Sequence, residues 1–270
     1  MMGFRTRRSE TELNRQLWER LGGEPEPSWY LDPITAGQKR ETHLRMIREF
    51  SKGMRAERIL KTDLFEEAFG EDSLLDSLFP EAVLVCGMDA AFAASKIALR
   101  RHRGKIRAFT CDVRNLAVQD CSLDIIVSTS TLDHFDNRAD FLQALAELAR
   151  VLKPDGLLII TLDNPWNPLY HPLRWLSRGK NAPFPLGYTV STPQLERDLS
   201  AAGLHPKKRD WLLHNPRGIS TLLFLALRKV LPTRAADTCI RSLLDACEQL
   251  GKLPTRKLTA CFAAVAATKR

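Results

Sequence analysis

Four short apolar segments in the middle of the chain are each followed by an acidic residue. Asp63 follows RILKT, Asp89 follows LVCGM, Asp112 follows RAFTC, and Asp163 follows LLIITL. A carboxylate after a strand can accept hydrogen bonds from the ribose hydroxyl groups of a nucleotide. Aspartate is also a favoured N-cap of helices, so any one of these residues fits a structural role equally well. Four of them in equivalent positions favour a ligand site.

The segment STSTLDHF, residues 128–135, carries the best candidate for proton transfer. An ordinary histidine has a pKa of about 6.5, which suits His134 to removing a proton near neutral pH. Asp133 beside it, or Asp163, could serve as the base instead. A histidine at the start of a loop can equally complete a hydrogen-bond network, and this alternative stays open. We therefore take His134, Asp133 and Asp163 as catalytic candidates.

These candidates need a scaffold that brings several strand ends together. Between residues 56 and 164, short apolar segments alternate with helical patterns, which predicts a doubly wound, mostly parallel α/β sheet with helices on both faces. In such a sheet the ligand lies beyond the carboxyl ends of the strands, where the strand order reverses. The predicted central strands are 58–62, 82–86, 106–110, 123–128 and 156–162.

The length predicts one domain with accessory parts, since a single core stops growing near about 250 to 300 residues. We expect residues 1–55 to form an N-terminal extension and helix, and residues 56–270 the main domain. Within it, the aromatic and proline-rich residues 165–190 predict a lid-like loop over the strand ends, or a loop packed on the core. Residues 216–252 predict a helical insertion, and DSLLDSL at 72–78 a further helix.

Basic residues are concentrated in the last two-fifths of the chain. The 270 residues have a net charge of +8, while residues 165–270 hold 17 Lys and Arg against 6 Asp and Glu, a balance of +11. Such an excess attracts an anionic substrate or an anionic membrane surface, although a solvated basic surface is an alternative. Nucleic acid is disfavoured, because no zinc finger or ribonucleoprotein-type motif accompanies the basic residues. In RGISTLLFLALRKVLP basic residues flank an apolar run, as in an interfacial helix, although a core helix looks the same.

The cysteine pattern, the first residues and the apolar runs predict the cellular compartment. The six cysteines form no CxxC pair or Cys/His cluster, so we expect no metal site, and buried thiols in a reducing environment. The start MMGFRTRRSE has no apolar segment typical of a signal peptide. The longest apolar run, 219–227, is shorter than the roughly 20 residues that span a bilayer. We expect a cytoplasmic protein, and the oligomeric state stays open.

The order and wording of these motifs resemble the class I S-adenosylmethionine-dependent methyltransferases. The resemblance covers roughly residues 56–215 and the final strand. VLVCGMD is similar to the family's second strand, AFTCDV to its third, STLDHF to the loop after its fourth, and LARVLKPDGLLIITLDN to the helix, turn and fifth strand. It implies a seven-stranded Rossmann-like sheet of order 3-2-1-4-5-7-6, with an antiparallel seventh strand near residues 260–267.

The resemblance implies S-adenosylmethionine as the cofactor. Asp89 would accept the ribose hydroxyl groups, and Asp112 with the Val113 backbone would meet the adenine. Lys61 would pair with the cofactor carboxylate, unless it points to solvent, and Asp63 would meet the ammonium group. The cofactor-binding candidates, all at strand ends, are Lys61, Thr62, Asp63, Gly87, Met88, Asp89, Asp112, Val113, Ser128 and Thr129.

The chain departs from the family in its first loop, where LKTDLFEEAFG replaces the usual glycine-rich sequence. S-adenosylmethionine carries no pyrophosphate, so a phosphate-cradling loop is dispensable. KTDLFEEA together with STLDHF is similar to a subgroup of methyltransferase-like proteins, which favours a specialised loop. We expect methyl transfer to a small molecule, such as an anionic glycan, a lipid-linked or a secondary-metabolite intermediate.

Two other functions are alternatives to methyl transfer. A degenerate, noncatalytic member that binds or scaffolds a partner is supported by the missing glycines. A nucleotide-dependent oxidoreductase is disfavoured, since the chain has neither a GxGxxG turn nor a YxxxK pair.

Overall fold

The computed structural model describes residues 32–177 and 186–270, which include a seven-stranded sheet. Its order is β3-β2-β1-β4-β5-β7-β6. The first five strands pair in parallel, whereas β7 is antiparallel to both β5 and β6. The strands are β1 (Arg58–Thr62), β2 (Leu84–Asp89), β3 (Arg107–Thr110), β4 (Leu123–Thr129), β5 (Leu152–Asp163), β6 (Leu204–Leu212) and β7 (Phe262–Lys269). The predicted fold class and strand order are confirmed.

Helices cover both faces of the sheet. They are α1 (Pro33–Phe50), α2 (Phe65–Phe69), α3 (Phe92–Arg101), α4 (Arg138–Val151), α5 (Tyr170–Leu176), α6 (Thr192–Ala201), α7 (Ile219–Val230), α8 (Thr233–Glu248) and α9 (Arg256–Thr259). Helix α1 begins where the Asp32 carboxylate accepts the N–H of Ile34 and Pro33 occupies the first turn. The side chain of Asn137 caps α4 in the same way.

One predicted helix is wrong. Within DSLLDSL only residues 75–77 form a single 3-10 turn. The N–H groups of Leu74 and Leu75 donate to the carboxylate of Glu67 instead, so their hydrogen bonds are made across the loop.

The core lies on both sides of β4 and β5. Ile125, Ile126 and Val127 are fully buried, because each face of a covered parallel sheet is packed against helices. Phe141 of α4 belongs to the cluster on one face, and Ile47 of α1 to the cluster on the other. This packing holds the carboxyl ends of the central strands in fixed positions.

Two features of the described residues concern the compartment. No helix there is both long enough and apolar enough to cross a membrane. All six cysteines are free thiols. The expectation that they are buried holds for Cys261, while Cys86, Cys111 and Cys247 are half-buried, and it is wrong for the exposed Cys121 and Cys239.

The accessory segments fall partly on described residues. The N-terminal helix is α1, while residues 1–31 of the predicted extension and 178–185 of the predicted lid-like loop lie outside the described residues. The predicted insertion at 216–252 consists of α7, α8 and a 3-10 turn at 249–252. Pro232, between α7 and α8, lacks the N–H that would continue the helix.

Candidate functional site

Strands β1, β4 and β5 end around a cavity of about 110 Å³. Asp63 follows β1, Asp133 and His134 lie in the loop after β4, and Asp163 ends β5. The three catalytic candidates therefore share one cavity, at the crossover between β1 and β4 where the strand order reverses. The other lining residues are Lys39, Phe65, Glu66, Asp72, Ser130, Leu186, Arg217 and Phe262.

The first loop turns sharply without a glycine. Asp63 has a φ of 71°, in the left-handed region that aspartate tolerates better than most residues. Its carboxylate accepts the N–H of Phe65 at 2.7 Å, and Asp89 accepts the N–H of Leu64 at 2.8 Å. Two aspartates thus hold the backbone where the family has glycines, which is the physical substitute the loop requires.

Lys61 lies beneath this loop and is fully buried. Its ammonium donates to the backbone oxygen of Asp63 at 2.7 Å, and lies 3.6 Å and 3.7 Å from the carboxylates of Glu66 and Glu67. Burial opposes the charge, but the carboxylates outweigh it and raise the pKa of Lys61. The alternative that Lys61 points to solvent is wrong, and its ammonium is occupied by the protein's own groups.

A second lysine reaches the cavity from the N-terminal helix. Lys39 of α1 donates to Glu66 at 3.0 Å and to Asp72 at 2.6 Å. These two carboxylates overcome the effect of burial and raise the pKa of Lys39. Oε2 of Glu66 and Oδ1 of Asp72 are buried and have no hydrogen-bond partner within the described residues. This side of the cavity is therefore charged and incompletely satisfied.

Asp133 and Asp163 form a carboxyl pair on the opposite side. Asp133 accepts the backbone N–H of Asp163 at 2.6 Å through Oδ2, while its Oδ1 has no hydrogen-bond partner in the described part of the chain. Burial, together with the charge of Asp163, raises the pKa of Asp133 to about 8. Arg217 forms a salt bridge with Asp163 and stacks over Phe262. The raised pKa favours the protonated form of Asp133 near neutral pH.

His134 is held in place by the far end of the 165–190 loop. Gly187 donates its N–H to the Asp133 oxygen at 3.0 Å, and a Cβ at this glycine would lie 2.8 Å from the His134 carbonyl carbon. The hydroxyl of Tyr170 donates to the Gly187 oxygen at 3.2 Å. Burial lowers the pKa of His134, which keeps the imidazole neutral at neutral pH. The described parts of the predicted lid-like loop therefore pack directly on the STLDHF segment.

The acids after β2 and β3 are engaged differently. Asp89 accepts the N–H groups of Leu64 and Ala91 at 2.8 Å and 2.7 Å. A Cβ on Gly87 would lie 2.2 Å from the Leu64 side chain, so the space above this strand is filled. Asp112 accepts from the backbone and guanidinium of Arg114. Neither acid lines the cavity.

The remaining cofactor-binding candidates lie at the predicted strand ends but inside the protein. Thr62 donates its hydroxyl hydrogen to Ser128 at 2.9 Å, and both side chains are fully buried. Met88, Val113 and Thr129 are also buried. These side chains support the strand ends, and within the described residues none of them lines the cavity.

Sequence reasoning missed several lining residues. The acid pair in LFEEAFG was a usable signal for Glu66, since it follows the first strand directly. Lys39 and Arg217 gave none, because they come from elements far away in sequence. Arg217 follows β6 and Lys39 lies in α1, so only the folded sheet brings them to Asp163 and Glu66.

Comparisons with known proteins find similarity to methyltransferases over part of the chain. Residues 67–160 match the family model described as a methyltransferase domain. Over 145 residues, 49% of this chain and 54% of the relative, the chain is 31% identical to the ubiquinone biosynthesis O-methyltransferase of Chelativorans sp. (strain BNC1). Over 64 residues, 24% of this chain and 14% of the relative, it is 38% identical to the human "Probable tRNA methyltransferase 9B". The chain thus spans about half or less of the length of these relatives.

A solved structure shares the whole fold. A SAM-dependent methyltransferase from Thermotoga maritima superposes with a TM-score of 0.59 at 15% identity, over 95% of this chain and 100% of the other. At this identity the likeness concerns the fold.

Proposed function

We propose that this chain is a class I S-adenosylmethionine-dependent methyltransferase that transfers a methyl group to a small-molecule acceptor, supported by the matched methyltransferase domain and the shared fold. The observation that carries the proposal is the convergence of His134, Asp133 and Asp163 on one cavity at the ends of β1, β4 and β5. This is the edge of the sheet where folds of this class bind their ligands.

The charged end of the cofactor fits this cavity. Oδ1 of Asp72, which lines it, is buried with neither a hydrogen-bond partner nor a salt bridge in the described residues, and Oε2 of Glu66 has only the ammonium of Lys61, at 3.6 Å. Buried acceptors of this kind are costly unless a donor or a cation meets them. The ammonium and sulfonium groups of S-adenosylmethionine are such partners.

The carboxylates beyond β2 and β3 suit the nucleoside part of the cofactor, but the space there is too small for it. Asp89 and Asp112 follow adjacent strands. The Asp89 carboxylate has lone pairs beyond the two hydrogen bonds that it accepts, whereas Arg114 already contacts both oxygens of Asp112. The cavity of about 110 Å³ is smaller than the roughly 300 Å³ typical of small-molecule sites, and Leu64 fills the space above Gly87. Binding of the whole cofactor therefore requires the first loop to move away from β2.

The cavity residues supply binding and proton transfer. The cofactor, when bound, supplies a methyl group on a positively charged sulfur. His134 is neutral at neutral pH and can take the proton of an acceptor hydroxyl group. The charge of Asp163, held by Arg217, favours the imidazolium that then forms. Tyr170 and Gly187 keep the STLDHF segment in position, and the loop that carries Gly187 limits access of water.

An oxygen atom is the acceptor that these groups suit best. A general base is needed to deprotonate a hydroxyl group, and the relative from Chelativorans is named as an O-methyltransferase. The charge balance of +11 in residues 165–270 supports an anionic glycan, a lipid-linked or a secondary-metabolite acceptor. The small cavity supports a small molecule over a nucleic acid.

A second candidate is a noncatalytic member that binds a partner. The packing of Leu64 on Gly87 favours it, because this contact closes the nucleoside side of the crevice.

A turnover assay separates the two functions. The protein is incubated with S-adenosylmethionine and panels of phenols, sugars, anionic glycans and lipid-linked intermediates, and S-adenosylhomocysteine is measured by mass spectrometry. The proposal predicts S-adenosylhomocysteine in equal amount to a methylated acceptor. Cofactor binding without turnover on any panel would favour the noncatalytic function.

A further inference from the structure

Helix α7 presents an apolar face to the outside of the protein. Ile219, Leu222 and Val230 are 56%, 71% and 79% exposed, and Leu223 is 44% exposed. These positions share one side of a helix with 3.6 residues per turn. The opposite side is buried, where Phe224 packs with residues of α8. The inner side thus supplies the core contact, and the outer side is available to a partner.

Helix α5 extends this face. Trp175 and Leu176 are 74% and 59% exposed. The two helices meet at Leu173 and Gly218, since a Cβ on Gly218 would lie 2.9 Å from the Leu173 side chain. We call the exposed side chains of Trp175, Leu176, Ile219, Leu222, Leu223 and Val230 the apolar surface. A cluster of large exposed apolar side chains on a folded protein marks an interaction site.

An exposed lysine accompanies the apolar surface. Lys229 lies on the outer side of α7, and the neighbouring helix α8 carries two further exposed cations, Arg234 and Arg241. None of these three forms a salt bridge within residues 32–177 and 186–270. Arg228, by contrast, is bound by Asp32 and Asp237. The charge that a partner would meet here is positive.

We propose that the apolar surface docks on an anionic phospholipid bilayer. The apolar side chains would enter the interface, with Trp175 at headgroup depth, and Lys229 on the same side of α7 would meet a lipid phosphate. A second copy of the chain would bring the same positive charges together, which charge complementarity disfavours.

Docking in this way places the cavity beside the bilayer. Arg217, which lines the cavity, comes two residues before Ile219. Leu173 of α5 lines a small adjoining cavity, which shares Asp163, Leu186 and Arg217 with the first. The docked protein would therefore reach an acceptor held in the membrane, but docking itself does not depend on methyl transfer.

Vesicle flotation of the full chain tests the proposal. Vesicles of phosphatidylcholine alone are compared with vesicles of equal parts phosphatidylcholine and phosphatidylglycerol, at low and high salt. We expect co-flotation with the anionic vesicles, weakened by salt because surface charges are screened within about 10 Å at 0.1 M. Absence of co-flotation at low salt would overturn the proposal.

Variants of exposed residues locate the contact. Leu222→Glu should weaken partition into the vesicles about tenfold or more, since it removes a leucine side chain that would enter the bilayer and adds a negative charge. Lys229→Gln should weaken it about fivefold. The matched control is Val83→Glu, because Val83 is 81% exposed just before β2, near the other edge of the sheet. Equal loss in the control would overturn the assignment, and so would a vesicle-free dimer that Leu222→Glu dissociates.

Discussion

The two sides of the strand-end crevice differ in how their acids are satisfied. Beyond β2 and β3, Asp89 accepts N–H groups of the first loop and of its own loop, Asp112 accepts from Arg114, and neither acid lines the cavity of about 110 Å³. Beyond β1, β4 and β5, carboxyl oxygens of Glu66, Asp72 and Asp133 are buried without hydrogen-bond partners around a cavity. The acids of the first side are thus bound by backbone and arginine groups, whereas the second side keeps carboxyl oxygens without hydrogen-bond partners in the described residues.

This difference shows what replaces a glycine-rich loop. Asp63 adopts the left-handed backbone itself, and Asp89 fixes the next residue. The turn is then stable without a ligand, but Leu64 occupies space that glycine would leave open. The loss of the glycines therefore reduces the space above β2, where the nucleoside would bind. The cavity beyond β1, β4 and β5, which holds the three catalytic candidates, is not filled in this way.

The largest effect is expected from the catalytic side. His134→Ala should lower turnover about 10² to 10⁴ fold while leaving cofactor affinity nearly unchanged, because a general base acts on the acceptor. Turnover and the Kd of S-adenosylhomocysteine are measured on the same preparations. The control is His205→Ala, at the start of β6, which should be silent. If cofactor affinity falls with turnover, His134 is structural, and undiminished turnover moves the role to Asp133 or Asp163.

The next effect concerns the ion cluster beneath the first loop. Lys61→Met should destabilise the fold by about 3 to 5 kcal/mol, because it leaves buried carboxylates of Glu66 and Glu67 without their lysine. Urea unfolding measures the change. Lys153→Met, which breaks the more exposed pair with Asp124, is the control and should cost less than about 1 kcal/mol. Equal changes in the two variants would show that the cluster does not hold the loop.

The third effect, the smallest when it is expressed per pH unit, is a pH dependence of stability. The pKa of Asp133 is raised from its ordinary value of 3.8 to about 8, so the folded state keeps a proton that the unfolded chain releases. Its contribution to stability is complete below about pH 4, declines between pH 4 and 8, and is lost above pH 8, with a slope of up to about 1.4 kcal/mol per pH unit. Asp133→Asn should remove this decline in urea unfolding across that range. Identical slopes for both proteins would place the titration elsewhere.

The sheet and the residues at the strand ends could be predicted from the sequence. The side chains that other segments bring into the crevice, and the contacts they make there, could not. Alternating apolar segments and the resemblance placed Asp63, Asp133 and Asp163 at the ends of the right strands. The pairing of Lys39 with Glu66 and of Arg217 with Asp163 depends on contacts between distant segments, for which the sequence holds no local pattern. Whether the Asp89 carboxylate is free for a ligand or binds the first loop depends on the position of the Leu64 backbone N–H. The conformational preferences of the residues do not determine that position.

The position of His134 could be predicted from the sequence, but its pKa could not. A motif such as STLDHF fixes where a histidine stands along the chain, and the sheet then fixes which edge it reaches. Burial lowers the pKa of His134, and the charges of Asp163, Glu66 and Arg217 act on it from separate parts of the chain. Identity and position were therefore accessible from the sequence, whereas electrostatics required the fold.

The central claim is that this chain binds S-adenosylmethionine although its first loop lacks glycines. Thermal unfolding with and without the cofactor, supported by titration calorimetry, tests it most directly. At about 100 times its dissociation constant the ligand should stabilise the fold by about 2.7 kcal/mol, which raises the Tm of a chain of this size by about 5 to 10 °C. Asp89→Asn should reduce the rise, since a hydrogen bond to a charged group contributes about 1.5 to 3 kcal/mol. No rise and no heat with millimolar S-adenosylmethionine or S-adenosylhomocysteine would contradict the account.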